Sequence, residues 1–187
     1  MTHLKSIETD YRSIQNYLTQ TGQPSFASDV NRYFKKIFVL AAASLFEHQL
    51  TSILMEMAST LSNGDERLVY FLKRQAISQR YHQLFDWGET DNPEIPGRSG
   101  KHFFRLFGDD FHKAVQHDLA AKPEIQSALE DFLEIGHLRN ILVHNNFAIY
   151  EIDTLTSEEI LAKSENATGF VTYIKAKLLI TPSGEGK

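Results

Sequence analysis

At 187 residues with 42% hydrophobic side chains, the chain has apolar material for one domain, or one domain with a small appendage. It has no cysteine, which excludes disulfides, thiolate zinc sites and a cysteine nucleophile. Its formal net charge of −5 argues against broad non-specific nucleic-acid binding, which draws its affinity from phosphate neutralisation; only a cleft that gathers positive charge locally would serve.

Met1-Thr2-His3-Leu4-Lys5 lacks the apolar block of a secretory signal. Ile7, Tyr11, Ile14 and Leu18 recur at helical spacing and predict a first helix over residues 6–19, ended by Thr21-Gly22-Gln23-Pro24. Ser28 or Asp29 is placed to cap a second, long helix running to about Ser62. Leu40, Ala43, Glu47, Leu50 and Leu54 share one face of it, which makes it the central core element of a bundle. Glu47, His48, Gln49 and Glu56 interrupt its apolar run, so no stretch reaches the roughly 18 uninterrupted residues of a membrane span. A cytoplasmic protein with no membrane association is the expectation.

After the turn Asn63-Gly64-Asp65, a third helix is predicted from about Glu66 to Phe85, with Leu68, Phe71, Leu72, Ile77, Tyr81 and Leu84 inward. Gly88 to Gly100 is the longest loop, built from turn formers. Arg98, Lys101 and Arg105 form the densest positive cluster, and they, Lys101 and Arg105 above all, are candidates for a phosphate-binding patch; the alternative is a solvated loop and helix start. Neither the P-loop nor the dinucleotide spacing is present. Asp109 to Ala121 reads as a short helix, and Pro123 opens the next one in its first turn. Beyond Asn145-Asn146 the pattern changes. Phe147 to Ile152 looks strand-like, Thr156-Ser157-Glu158-Glu159 looks like a helix start, and Phe170, Thr172, Ile174, Ala176, Leu178 and Ile180 alternate as in a half-buried strand. The predicted division is therefore a helical domain over 1–150 and a small strand-containing appendage with a flexible tail over 151–187.

The helix opened by Pro123 ends in Leu138-Arg139-Asn140-Ile141-Leu142-Val143-His144. On an ideal helix His137, Asn140 and His144 share a stripe, while Arg139 falls in the middle of an apolar arc that includes Phe132, Ile135 and Leu142. An arginine there requires a partner. Glu47 is the odd charge on the other apolar face, so the two are expected to pair, with Glu47 supporting the motif by fixing the guanidinium. Each residue also has a purely structural role open to it: His144 as a helix C-cap, Arg139 as half of an ion pair, Asn140 and His137 as solvated polar side chains. No zinc-ligand spacing matches His137, His144 and a carboxylate.

Arg139 and Asn140, followed by three apolar residues and His144, resemble the Arg–(four residues)–His signature of the HEPN superfamily, helical proteins many of which are RNases. Within it, the chain most resembles the RiboL-PSP-HEPN type of conflict-system protein; Ser44-Leu45-Phe46-Glu47-His48, embedded in a long early helix, adds to the likeness. The resemblance spans roughly residues 25 to 150. It implies a mainly α fold, an antiparallel bundle of about five helices. It further implies a metal-independent endoribonuclease with no cofactor, acting on RNA as a homodimer in which the motifs of two chains share one cleft, and an antitoxin or other conflict-system protein as partner. Arg139, Asn140 and His144 would then be catalytic. Histidine suits proton transfer near neutral pH and arginine's planar fork suits phosphate; Asn140, one turn before His144, could orient the imidazole or contact the phosphate. In HEPN toxins paired with a nucleotidyltransferase antitoxin a Tyr follows the His after one residue; here that position is Asn146, which puts that mode of regulation in doubt. The alternative is a non-catalytic HEPN-like module binding nucleic acid, a nucleotide or a protein.

Overall fold

Pro24 begins the element about which the rest is arranged: its fixed backbone suits a helix's first turn, and helix α2 runs unbroken over Pro24–Leu61. The computed structural model describes residues 2–77, 81–88 and 97–179. Helix α1 (Thr2–Gln20) precedes α2 through a turn at Gly22, whose φ of 68° suits a residue without a side chain. The two run antiparallel: Tyr11 donates to Asn31 Oδ1 at 2.8 Å and Gln15 to the Ala27 carbonyl at 2.8 Å. The cap expected at Ser28 or Asp29 is five or six residues late: Gln23 stands at that position, and Pro24 sets the helix going without a side-chain cap.

Helix α3 (Glu66–Leu72) is capped by Asp65, which accepts from the Arg67 and Leu68 amides. It stops well short of Phe85, passing into a single π turn over Lys73–Ile77 and a 3₁₀ turn over Tyr81–Gln83. Beyond these turns Leu84, Phe85 and Trp87 are all buried. Strands β1 (Asp86–Trp87) and β2 (Arg98–Ser99) form a two-residue antiparallel ladder. Of the loop expected between Gly88 and Gly100, residues 89–96 lie outside the described residues, as does the tail from 180 onward. Helices α4 (Lys101–Arg105), α5 (Asp109–Ala121), α6 (Pro123–His144) and α7 (Ser157–Leu179) complete seven helices among the described residues.

The last helix corrects the strand expectation for residues 170–180. Ile160, Ala167, Phe170 and Ile174 are fully buried, and Ile160, Ser164, Ala167, Val171 and Ile174 repeat every three to four residues; the alternation of Phe170, Thr172 and Ile174 was a fragment of that longer period. Thr156 and Glu159 close a reciprocal capping box, at 2.7 and 3.1 Å, where a helix start was predicted. Lys163 reaches Asp131 and Glu134 at 2.8 Å each, and Asn166 reaches Ser127 and Asp131, so α7 runs antiparallel to α6. Its contacts at Ser157–Asn31 and Lys175–Glu56 set it parallel to α2. Lys177 and Tyr173 reach from α7 to Asp118 on α5, and they hold that carboxyl down to about 2. By length and composition α2 could cross a membrane; in this fold it is the central helix, packed by α1, α6 and α7.

Phe147 to Ile152 is not a strand either. Asn146 makes a tight turn, accepting from the Ala148 amide through its side chain and from the Ile149 and Tyr150 amides through its carbonyl. Two lysines of α2 then pin the segment: Lys36 donates to the Phe147 carbonyl at 2.8 Å and Lys35 to the Ile152 carbonyl at 3.0 Å.

Candidate functional site

The motif occupies the last two turns of α6. Leu138, Ile141 and Leu142 are buried there, which rotates Arg139 and Asn140 to partly buried positions and leaves Val143 and His144 exposed. Arg139 Nη1 donates to Asn140 Oδ1 at 3.2 Å. Both line a small pocket with Phe132 and Gly136 of α6, Ala43 and Phe46 of α2, and Tyr81, His82 and Trp87 from the irregular connector. Its volume is about 10 Å³, room for a single water.

Trp87 forms one wall, and it is clipped at both ends. Its indole Nε1 donates to the His82 carbonyl at 3.0 Å. His137 Nδ1 lies 2.7 Å from the Trp87 carbonyl. A carbonyl only accepts, so Nδ1 carries the proton and Nε2 of the neutral ring is left as acceptor. Burial pushes the His137 pKa down, and the nearby Arg98 charge adds to this; the Trp87 carbonyl and Glu134 pull the other way without prevailing. The fold therefore favours the neutral ring, and the unfolded chain binds the proton first. The stabilisation is complete above the unfolded value of about 6.5 and is lost as pH falls from there through the lower folded value. His137→Gln should accordingly flatten the loss of Tm between pH 7.5 and pH 5.5; equal pH slopes in the two proteins would contradict this.

Glu47 and Arg139 do not pair: no ion pair within 4.0 Å joins them among the described residues. Arg139 is only partly buried and has Asn140 as its hydrogen-bond partner, so it requires no carboxylate. Both charges nevertheless act on Tyr81. Burial pushes its phenol pKa up, Glu47 adds to the rise and Arg139 opposes it.

His144 lies outside the pocket, about 140° around α6 from Arg139. It is not the helix cap. Asn145 takes that role, donating to the Ile141 carbonyl from its backbone at 2.9 Å and its side chain at 3.1 Å. The exposed imidazole has no hydrogen-bond partner among the described residues. Lys101 and Arg105 are exposed on α4, which Phe103 and Phe104 anchor in the core, and Arg98 lies 4.0 Å from Glu134. One chain thus brings Arg139 and Asn140 together and keeps His144 apart.

Three residues of the site's support went unnoticed in the sequence. Lys36 is fully buried, yet it continues the Leu40, Ala43 and Glu47 face at helical spacing. That spacing was the available signal. Gly136 and Trp87 are a matched pair, since a Cβ at 136 would come within 1.9 Å of the Trp87 ring. Only their juxtaposition in space reveals it.

No curated protein and no solved structure matches the chain. The family model described as RiboL-PSP-HEPN matches residues 3–179, from the start of α1 to the end of α7. With a match over nearly its whole length, the chain belongs to the RiboL-PSP-HEPN family.

Proposed function

We propose that the protein is a metal-independent endoribonuclease of the HEPN type, working as a homodimer with a composite site within a conflict or toxin–antitoxin system. The observation that carries this is an exposed imidazole, without a hydrogen-bond partner among the described residues, at the end of the same helix that holds a hydrogen-bonded Arg139–Asn140 pair. One histidine takes the proton of a ribose 2′-hydroxyl. The 2′-oxygen bonds to phosphorus, the P–O5′ bond breaks, and a second histidine protonates the departing 5′-oxygen. Arginine neutralises the charge that builds on the phosphate. Two histidines and a shared arginine cleft require two chains. Val143, Phe147 and Ile149, apolar and exposed around His144, give a second copy a surface to cover. Lys101 and Arg105 would extend the track for phosphates, and an antitoxin would act by covering the same seam.

The test is cleavage of single-stranded RNA by the purified protein in a chelator, alongside its mass in solution. Cleavage by a species of twice the 21.4 kDa chain mass is the expected result; inertness towards a range of RNAs would refute the enzyme. A second reading, a non-catalytic binding module, draws on the tightness of the Arg139 pocket and on the separate surroundings of Arg139 and His144. It predicts RNA or protein binding without turnover.

A further inference from the structure

Helix α3 buries none of its residues. Leu72 leans on the core, and the opposite side is left uncovered. Arg67, Tyr70, Phe71 and Arg74 fall at i, i+3, i+4 and i+7, one continuous stripe running from α3 into the π turn. Tyr70 is 58% exposed and Phe71 61%. We propose that this stripe, with Lys73 beside it, is a platform for single-stranded RNA, the bases stacking on the two rings and the backbone following the cations.

The charge pattern selects this occupant. Between residues 66 and 77 three cations, Arg67, Lys73 and Arg74, face one carboxylate, Glu66, on a chain whose net charge is −5. Arg67 is oriented by Asp65 at 2.9 Å. Lys73 and Arg74 make no ion pair among the described residues, so their charge is available to phosphate. Tyr, Phe and Arg are also common at protein interfaces, but lysine is depleted at their centres, and Lys73 sits beside the rings. Single-stranded nucleic acid instead combines stacking on exposed aromatics with a positively charged track. Lys73, Tyr70 and Val69, with Glu66 at the same rim, also border a groove of about 330 Å³ against Met55 and Ser59 of α2, at the lower end of the ~300–1,000 Å³ of small-ligand sites. It is a seat for one nucleotide unit. In sequence the stripe leads towards Tyr81 and His82, which line the Arg139 pocket. The platform rests on the reading of this chain as an RNA-handling protein, and it supplies the positive track that the acidic whole lacks.

The test measures binding separately from cleavage. In the full chain carrying His144→Ala, so that RNA is not consumed, a fluorescein-labelled single-stranded RNA is titrated against the parent, Tyr70→Ser/Phe71→Ser and Lys73→Gln/Arg74→Gln. The exposed positions leave the core intact, which circular dichroism checks. Loss of the rings should weaken binding about tenfold to hundredfold. Loss of the cations should lower the slope of log affinity against log salt by about 1.4 for two phosphate contacts. Unchanged affinity in both variants overturns the platform and leaves cleavage by the wild-type chain as a separate result. A change of solution mass in the ring variant also overturns it, by making the stripe a protein interface. Weakened binding by these variants supports the platform even if the wild-type chain cuts nothing.

Discussion

Replacing His144 by alanine is expected to lower chelator-resistant RNA cleavage by about 10²–10⁴-fold, the usual loss when a positioned proton-transfer group is removed. Stability should hardly change. The imidazole is exposed, and Asn145 rather than His144 satisfies the Ile141 carbonyl. Arg139→Ala should differ in kind, because Arg139 is partly buried, bonds Asn140 and opposes the charge of Glu47 at Tyr81; both activity and Tm should fall. In the composite site proposed above, the two variants are complementary. Each homodimer lacks one kind of group entirely, while a mixed dimer retains one arginine and one histidine in its cleft. Mixing the two inactive proteins should therefore raise the rate only modestly above that of either alone, because the mixed cleft still lacks one of the two proton-transfer histidines. Assays of the mixture at increasing ratios read this directly. A cleavage rate for His144→Ala equal to wild type would remove the proton-transfer role. A mixture as inactive as its components would count against the shared cleft.

The elements whose residues face one way throughout were legible in the sequence. The long helix through Leu40, Leu50 and Leu54 and the motif helix through Phe132, Ile135 and Leu142 both have periodic faces, and both form with their buried residues as such faces require. The segment from Lys73 to Trp87 was not legible, because its burial follows no single period. Ile77, Leu84, Phe85 and Trp87 each reach the core by a separate local turn. The helix from Ser157 to Leu179 was misread at its end for a related reason. Thr172 and Tyr173 lie between its buried residues, and over six residues a helical face that is partly polar gives the same alternation as a strand. The charges at Glu47 and Arg139 were correctly singled out as unusual, but sequence cannot say how two such groups are accommodated. Here a neighbouring amide, that of Asn140, is the partner Arg139 has instead of a carboxylate. The wall of the pocket depends on a contact between Gly136 and Trp87, 49 positions apart, and no local pattern carries that.

That contact sets the second large effect. Gly136→Ala should destabilise the protein by about 3 kcal/mol, or roughly 6–12 °C in Tm for a domain of this size. Two effects compete. Alanine is the better helix former by about 1 kcal/mol, so at an exposed site in α6 the substitution would stabilise. At this site the new Cβ would fall 1.9 Å from Trp87 Cζ3 and 2.2 Å from Cε3, far inside contact distance, so the ring must move. It has little freedom to do so. Phe85, Phe132 and Tyr81 surround it with ring centroids at 5.1, 5.8 and 5.9 Å, while His82 and His137 hold its indole nitrogen and its carbonyl. Displacing the indole therefore breaks its hydrogen bond to the His82 carbonyl or shifts three aromatic rings, and either outweighs the propensity gain. A smaller partner should relieve the clash: in Gly136→Ala/Trp87→Leu the second change should cost less than Trp87→Leu does alone, a coupling that a double-mutant cycle of thermal melts reads. Gly136→Ala melting at or above the parent would mean that propensity wins, and that the indole does not press on α6. Since the same ring walls the Arg139 pocket, the variant should also bind RNA less well at temperatures where it is still folded, tying the packing of this one glycine to the site it shapes.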